Sequence, residues 1–120
     1  MDQMGQPLSA TEIQSYLAGR TIGKNLIYLD QVDSTNLYLQ KLARNGALDG
    51  TAVLAELQTD GRGQGRVFQS APSKGIYLSL LLRPDWPVSS VISITPMAAV
   101  AVCNGIEAVC GLRPQIKWPN

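Results

Sequence analysis

Apolar positions along the chain fall into short segments that alternate between helical and strand-like spacing. Residues 9–12 have the form of a capping box, a hydroxyl followed three residues later by a carboxylate. They predict a helix that runs to Ala18 and stops at Gly19. Residues 25–30 are rich in strand formers and bounded by polar residues, which predicts a strand directly after this helix.

A second helix is expected to begin at Ser34 and to end at residues 45–46, an Asn-Gly pair. Its spacing places four side chains on the buried face, those of Leu37, Tyr38, Leu42 and Ala43. A predicted strand, a turn and this helix therefore meet at residues 33–36.

Two further strands are predicted at residues 51–57 and 76–82. The second is an almost continuous apolar run, which indicates burial on both faces. Between them, residues 58–75 are polar and show neither helical nor strand periodicity. Loops of this length inside a compact domain are usually functional or disordered.

The last third of the chain predicts one helix and the start of another strand, at residues 116–118. The helix is expected from about Thr95, with Pro96 in its first turn and Gly111 just past its end. The weakly polar run at residues 88–111 is interrupted by polar residues, so we interpret it as a core helix rather than a membrane span. Together these elements predict an α+β (mixed α/β) domain with a mixed sheet flanked by helices.

The 120 residues are 45% hydrophobic and 16% charged, which is typical of one soluble globular domain. A net charge of +1 gives no electrostatic case for a nucleic acid or an anionic membrane. The absence of histidine excludes Ser-His-Asp and Cys-His catalysis and histidine-ligated metals. Cys103 and Cys110 have no zinc-site spacing, and we expect buried, reduced thiols in a cytoplasmic protein. No secretory signal is visible.

The long polar loop carries glycines that alternate with polar residues between positions 61 and 66. Glycines let backbone N–H groups converge on an anion, and arginines add bidentate donors for phosphate or carboxylate. The spacing matches neither a Walker A loop nor a dinucleotide-binding fingerprint. A flexible, solvated loop is the equal alternative. Residues 33–36 could likewise hold an anion at a helix N-terminus, although a plain N-cap explains them as well.

Four segments, taken in order, resemble the catalytic domain of biotin protein ligases. They are VDSTN at residues 32–36, the Gly-Arg loop, KGIYLSLLLRP at residues 74–84 and KWPN at residues 117–120. The resemblance spans almost the whole chain and implies the mixed fold shared by these ligases and class II aminoacyl-tRNA synthetases. It also implies two steps: biotin and ATP give biotinyl-5′-adenylate with Mg²⁺, and a lysine of a biotin carboxyl carrier protein then receives the biotinyl group.

The resemblance implies roles for individual residues of this chain. Thr35 would lie near the ureido head of biotin, Arg62 and Lys117 would act in catalysis, and Phe68 stands where the family usually has tryptophan. Lys117 would lie near the activated carboxylate or the phosphates, and Asn120 near nucleotide and metal. The full set implied to bind biotin or adenylate is Ser34, Thr35, Asn36, Gln58, Gly61, Arg62, Gly63, Arg66, Phe68, Lys117 and Asn120. No residue is assigned as a metal ligand.

Two departures from the family pattern lead to further expectations. The Gly-Arg loop is one residue shorter than usual and lacks a central arginine, which predicts a weaker adenylate site. The chain also ends at KWPN, with neither a winged helix nor a C-terminal small barrel, so we expect this N-terminal part of the catalytic domain not to complete biotin transfer alone. A homodimer is compatible with the resemblance. The alternatives are a lipoate or octanoate ligase or transferase of the same fold and a non-catalytic ligand-binding remnant.

Overall fold

The computed structural model describes residues 8–17, 19–63, 66–68 and 75–117, and at 61–63 and 66–68 it describes the backbone alone. The chain divides into two compact units, Met1–Arg83 and Pro84–Asn120. The first unit contains two helices and two small sheets, and the second contains two helices. The predicted mixed α+β class with a mixed sheet is therefore confirmed.

Helix α1 (Ala10–Tyr16) begins where the capping box predicts. The side-chain oxygen of Ser9 accepts a hydrogen bond from the Glu12 backbone N–H at 3.2 Å, which satisfies one of the N–H groups that a helix leaves without a partner at its start. The helix ends earlier than expected, and the predicted last residue, Ala18, lies outside the described residues.

Strand β1 (Leu26–Val32), helix α2 (Thr35–Arg44) and strand β2 (Ala52–Gln58) form one continuous supersecondary unit. The two strands pair in parallel, with Tyr28 opposite Leu54. Parallel neighbours need a crossover connection, and α2 supplies it. The predicted positions of all three elements are confirmed to within one or two residues.

The predicted buried face of α2 needs correction. Leu39 is the buried apolar residue of this helix, with 5% of its surface exposed, whereas Leu37 is 46% exposed. Thr35 is also buried, and residues at i and i+4 share one face of a helix. The stripe that faces the sheet therefore runs through Thr35 and Leu39 and is flanked by half-buried Tyr38, Leu42 and Ala43, so Leu37 is the one predicted residue that lies off it.

The predicted irregular loop at residues 58–75 contains regular structure. Strands β3 (Gly61–Gly63) and β4 (Arg66–Phe68) pair antiparallel as a two-stranded ribbon, with Arg62 opposite Val67. Each strand is only three residues long, too short for an alternating apolar pattern to be visible in the sequence.

Strand β5 (Tyr77–Leu80) pairs antiparallel with β2, so the three-stranded sheet has the order β1-β2-β5. It is not buried on both faces: Tyr77 and Ser79 are buried, whereas Leu78 and Leu80 are 49% and 44% exposed. Residues directly opposite in a sheet share a face, so Ser79 lies on the same face as fully buried Val53. Hydrogen bonds from Ser79 to α2 show that α2 covers this face.

The other face of the sheet carries a cavity of about 300 Å³ whose lining is apolar. Its walls come from β2, β5 and α1 and include Leu54, Leu78 and Leu17. At its border the Glu56 carboxylate accepts hydrogen bonds from the Leu8 backbone N–H and the Tyr28 hydroxyl, both at 3.3 Å. Glu56 thus ties the segment that precedes α1 to the sheet.

The second unit contains a short helix, α3 (Val88–Val91), which was not predicted, and α4 (Ile94–Cys110). Gly111 ends α4 as predicted, in the left-handed conformation with φ of 73°. The stretch Val88–Cys110 is long and apolar enough to cross a membrane, and contains an 18-residue window with a mean hydropathy of 1.5, but length and composition alone are weak evidence of a span. Only 6% of that window is buried, so the expectation of a core helix is wrong for the described part of the chain.

Two further expectations for this unit are wrong. Residues 116 and 117 do not form a strand, although position 118 lies outside the described residues. Cys110 is exposed, whereas Cys103 is buried, and both thiols are free. The chain after α4 folds back so that Pro114 O lies 3.9 Å from Cys103 Sγ, while Cys110 lies at the uncovered end of the helix.

Candidate ligand site

The carboxyl ends of the parallel strands β1 and β2 lie at one edge of the sheet, and α2 begins at the same edge. Polar residues follow both strand ends, Asp33 and Ser34 after β1 and Gln58 at the last position of β2. Backbone hydrogen bonds hold the two strand ends together, from Thr59 N to Val32 O at 3.0 Å and from Asp60 N to Asp33 O at 2.7 Å. Ligands of open α/β sheets commonly bind at such an edge.

Ser34 is the N-cap of α2. Its Oγ accepts a hydrogen bond from the Leu37 N–H at 3.3 Å, and its own N–H donates to Asp33 Oδ1 at 2.7 Å. The interpretation of Ser34 as a plain N-cap is therefore confirmed. Ser34 also lines a polar cavity, so capping and ligand contact do not exclude each other.

The backbone N–H of Thr35 determines which way the Gln58 amide faces. This N–H donates to Gln58 Oε1 at 2.8 Å, and because a backbone N–H can only donate, the facing atom must be the carbonyl oxygen rather than the amide nitrogen. Gln58 Nε2 therefore points away from Thr35 and makes no hydrogen bond within the described part of the chain. The buried Gln58 amide presents two N–H donors in a fixed direction.

A chain of side-chain hydrogen bonds connects α2 to β5. Thr35 Oγ1 lies 2.7 Å from Ser79 Oγ and 3.2 Å from Gln58 Oε1, and Ser79 Oγ donates to Asn36 Oδ1. Each hydroxyl has one proton. Because Ser79 donates its proton to Asn36 Oδ1, the single proton of the Thr35 hydroxyl is directed to Gln58 Oε1 or to Ser79 Oγ. Every member of this network is neutral.

These residues surround a cavity of about 220 Å³. Its lining combines the amide and hydroxyl groups with Ile76, Tyr77 and Leu78, and within the described part of the chain no charged side chain lines it. An uncharged wall of donors and acceptors suits a neutral polar group better than an isolated anion. The lining residues are Ser34, Thr35, Asn36, Gln58, Ile76, Tyr77, Leu78 and Ser79.

Four of the sequence-predicted site residues are thus brought together, namely Ser34, Thr35, Asn36 and Gln58. The backbones of the Gly-Arg loop residues Gly61, Arg62, Gly63, Arg66 and Phe68 form the β3–β4 ribbon, which begins three residues after Gln58. Lys117 is exposed and lies in irregular chain of the second unit, and Asn120 lies outside the described residues. In the part of the chain that is described, no cluster of three or more Cys, Asp or Glu side chains could hold a metal ion.

Sequence reasoning missed Ser79, the residue that joins α2 to β5. The signal was present, because Ser79 is the single hydroxyl in the apolar run of residues 78–82. A buried polar group needs a partner, and in a strand buried by a helix that partner must come from the helix.

Comparison with known proteins places this geometry in a family. The model of the biotin/lipoate A/B protein ligase family matches residues 28–120, which include the whole polar cavity. The chain belongs to this family. Among similar proteins, the bifunctional ligase/repressor BirA of Bacillus spizizenii is 46% identical over 114 residues, which cover 94% of this chain and 35% of that protein.

Other members of the biotin/lipoate ligase family give the same result. The biotin–[acetyl-CoA-carboxylase] ligase of Mycobacterium tuberculosis is 32% identical over 126 residues, covering 99% of this chain and 47% of that protein. The solved biotin protein ligase from Aquifex aeolicus in complex with biotin and ATP superposes with a TM-score of 0.67 at 35% identity, covering 81% of this chain and 40% of that one. This family member spans about a third of the length of the Bacillus relative.

Proposed function

We propose that this chain forms the biotin-recognising part of an ATP-dependent biotin–protein ligase. The observation that carries the proposal is the cavity at the start of α2, which no charged side chain lines among the described residues. There the Thr35 N–H orients the Gln58 amide so that neither of its N–H donors bonds another described residue. Support comes from relatives that are named biotin ligases and from a structural neighbour that holds biotin and ATP.

The chemistry of the cavity matches the ureido head of biotin. A cyclic urea offers one carbonyl acceptor and two N–H donors and carries no charge. Gln58 Nε2 can donate to that carbonyl, and the hydroxyl of Ser34, which accepts from the Leu37 N–H, keeps its own proton to donate. The oxygens of Thr35 and Asn36 can accept from the urea N–H groups. The dithiolane of lipoate has no such groups and would leave these buried atoms unpaired, at a cost in affinity.

The reaction proposed for the complete ligase has two steps. A biotin carboxylate oxygen attacks the α-phosphorus of ATP, the bond to pyrophosphate breaks, and biotinyl-5′-adenylate forms. A lysine amine of the acceptor then attacks the acyl carbon, loses a proton and displaces AMP. The described residues hold no acidic cluster that fits Mg²⁺, so no step of this proposal runs through the ion.

The remaining site residues are assigned by resemblance. We propose that the ribbon residues Gly61, Arg62, Gly63, Arg66 and Phe68 contact biotin or the adenylate, with Arg62 stabilising negative charge at the reacting groups. Lys117 would act at the activated carboxylate or the phosphates, and Asn120 near the nucleotide. The chain would then be the N-terminal part of a catalytic domain.

The acceptor proposed for this activity is a biotin carboxyl carrier protein in the cytoplasm, and a homodimer is proposed as the assembly. The Bacillus relatives are named ligase and repressor, so the expected absence of a nucleic-acid partner stays a prediction.

Calorimetric titration of the 120-residue chain with biotin tests the proposal, with lipoate as the competing acid. We expect saturable binding of biotin and none of lipoate. Ser79→Ala should weaken biotin binding by about tenfold, because it breaks the hydrogen-bond chain that orients Thr35 and Asn36. Ser90→Ala, which removes an exposed hydroxyl from α3, is the matched control and should bind like the wild type.

Binding of lipoate in preference to biotin would move the chain to the lipoate branch of the family. Binding of neither acid would contradict the proposal and favour a remnant without ligand. Biotin-dependent exchange of labelled pyrophosphate into ATP, measured on the same chain, reports the first step. Transfer of labelled biotin to a carrier protein tests the expectation that this part alone does not complete the reaction.

A further inference from the structure

The strand segment that supplies Ser79 contacts both ends of α2. At the start of the helix, Ser79 Oγ lies 2.7 Å from Thr35 Oγ1. At its end, the Arg83 side chain donates two hydrogen bonds, from Nε to Ala47 O at 2.9 Å and from Nη2 to Ala43 O at 2.8 Å. Ser79 and Arg83 are only four residues apart, so one short segment holds the helix at two points.

The spacing of the two attachment points matches on both elements. Four residues of extended chain span about 13 Å, and the eight residues from Thr35 to Ala43 rise about 12 Å along a helix. The segment and the helix therefore run side by side over the same distance, and neither attachment requires the other to stretch.

The Arg83 bonds are well placed to immobilise the helix end. Carbonyl groups at a helix C-terminus carry partial negative charge, and the planar guanidinium donates in fixed directions. The backbone of Arg83 is fixed as well, because its N–H donates to Asp49 Oδ1 at 2.6 Å. Arg83 is exposed and is not part of the cavity lining, so its effect on the cavity must act through α2.

We propose that Arg83 is a positioning residue for the polar cavity: it anchors the C-terminal end of α2 and thereby holds Thr35 and Asn36 against Ser79 and Gln58. Only the identity of the ligand, biotin, rests on the proposed function. The positioning of Thr35 and Asn36 by Arg83 does not depend on which ligand binds. Without the two bonds from Arg83, the hydrogen bonds that join α2 to this segment in the described part of the chain are those at its first turn, and the last turn loses its hydrogen bonds to the segment.

Amide hydrogen exchange tests the positioning on the 120-residue chain. Arg83→Met keeps most of the aliphatic stem and removes the donors. Arg44→Met is the matched control, because Arg44 is an exposed cation in the last turn of α2 that makes no hydrogen bond within the described part of the chain. The reporter is the Thr35 amide, and the Thr59 amide, which bonds Val32 O at the same sheet edge, is the internal control.

We expect Arg83→Met to accelerate Thr35 exchange by about fivefold, with Thr59 unchanged and with Arg44→Met like the wild type. Equal acceleration of Thr35 and Thr59, or of Thr35 in both variants, would overturn the proposal, since either result indicates a general loss of stability or charge. The lysine of Arg83→Lys can donate to only one of the two carbonyl oxygens, so the Thr35 amide of this variant should exchange at an intermediate rate. If Arg83→Met does not fold, a Lys variant that exchanges like the wild type overturns the proposal.

The same variants are then titrated with biotin. We expect the Kd for biotin to rise about fivefold in Arg83→Met and to stay at the wild-type value in Arg44→Met. If the wild type does not bind biotin, the proposed function fails for this chain, whereas the Thr35 exchange rates still decide the role of Arg83. If biotin binds all variants equally while exchange differs, Arg83 does not position the cavity for its ligand and the proposal is overturned.

Discussion

A single backbone N–H decides what the polar cavity offers to a ligand. Because the Thr35 N–H donates to Gln58 Oε1, the amide NH2 of Gln58 points away from Thr35, and the side chain could not present its carbonyl to a ligand without breaking that bond. A neutral donor held in this way recognises a carbonyl oxygen at no electrostatic cost to the surrounding protein.

Tyr28 lies on the face of the sheet opposite to α2, and its contribution to stability depends on pH. Its pKa is raised, first by burial, then by the negative charge of Glu56 and the hydrogen bond to it, and last by the charge of Asp30. The unfolded chain loses this phenolic proton near the ordinary value, whereas the folded chain holds it to higher pH. The stability that Tyr28 contributes is therefore complete below pH ~10 and is lost as the pH rises through the folded pKa.

Between pH 9 and 11, roughly one unit on either side of the ordinary phenol pKa, the urea concentration at the unfolding midpoint should fall less steeply with pH for Tyr28→Phe than for the wild type. Tyr16→Phe, which removes the exposed phenol of α1, is the comparison variant. Equal slopes for the wild type and Tyr28→Phe would show that this phenol does not limit stability at alkaline pH.

Ser34, Thr35 and Asn36 could be singled out from the sequence because they lie at a predictable helix start, whereas Gln58 was assigned by the family resemblance. Ser79 and Arg83 could not be assigned in the same way. Their roles depend on which face of β5 meets α2 and on where α2 ends, and both are set by packing across 43 and 40 residues of chain.

At the scale of elements, helix boundaries could be predicted and burial could not. The caps Ser9 and Ser34 act through local hydrogen bonds, which the sequence displays directly. The exposure of Leu78 and Leu80 depends instead on what covers the far side of the sheet, and a continuous apolar run carries no information about that.

A glycine connects the loop before β1 to the start of β2. Gly50 has φ of 86°, its O accepts from Gly23 N at 2.8 Å, and its N donates to Leu81 O at 2.7 Å. A Cβ at this position would collide with the carbonyl oxygen of Thr21. At Gly46, where φ is 90°, a Cβ would meet no atom within 4 Å.

Gly46→Ala should therefore lower the free energy of unfolding by about 1 kcal/mol, the cost of a left-handed alanine. Gly50→Ala should lower it by a further ~2 kcal/mol because of the collision. Urea unfolding of both variants measures the difference, and equal losses would show that the Thr21 loop gives way without cost.

At the scale of the molecule, the order of four weak motifs identified the family where no single motif could. Residues of two of these motifs, at positions 32–36 and 74–84, line the polar cavity. Composition alone excluded several catalytic classes, since the chain has no histidine, but it could not indicate biotin. That conclusion needed the order of the motifs along the chain.

The charge balance sets the behaviour of the chain in solution. The first unit exposes large apolar side chains, including Ile76 at 76% and Leu48 at 68%, and the isoelectric point from the sequence is about 7.8. Light scattering should therefore show self-association at the lowest protein concentration near pH 7.8, where charge repulsion vanishes, and less on either side of it. A scattering intensity that only rises or only falls as the pH is raised through 7.8 would indicate that net charge does not control association.

The long-range hydrogen-bond partners of Thr35 also fix when the polar cavity can exist. Thr35 bonds Gln58, which lies 23 residues further along the chain, and Ser79, which lies 44 residues further. A nascent chain shorter than about two thirds of this sequence therefore lacks part of the site. Contacts of such long range are slow to form and arise late in folding. Biotin recognition would therefore report on the finished first unit and could not guide the chain during its synthesis.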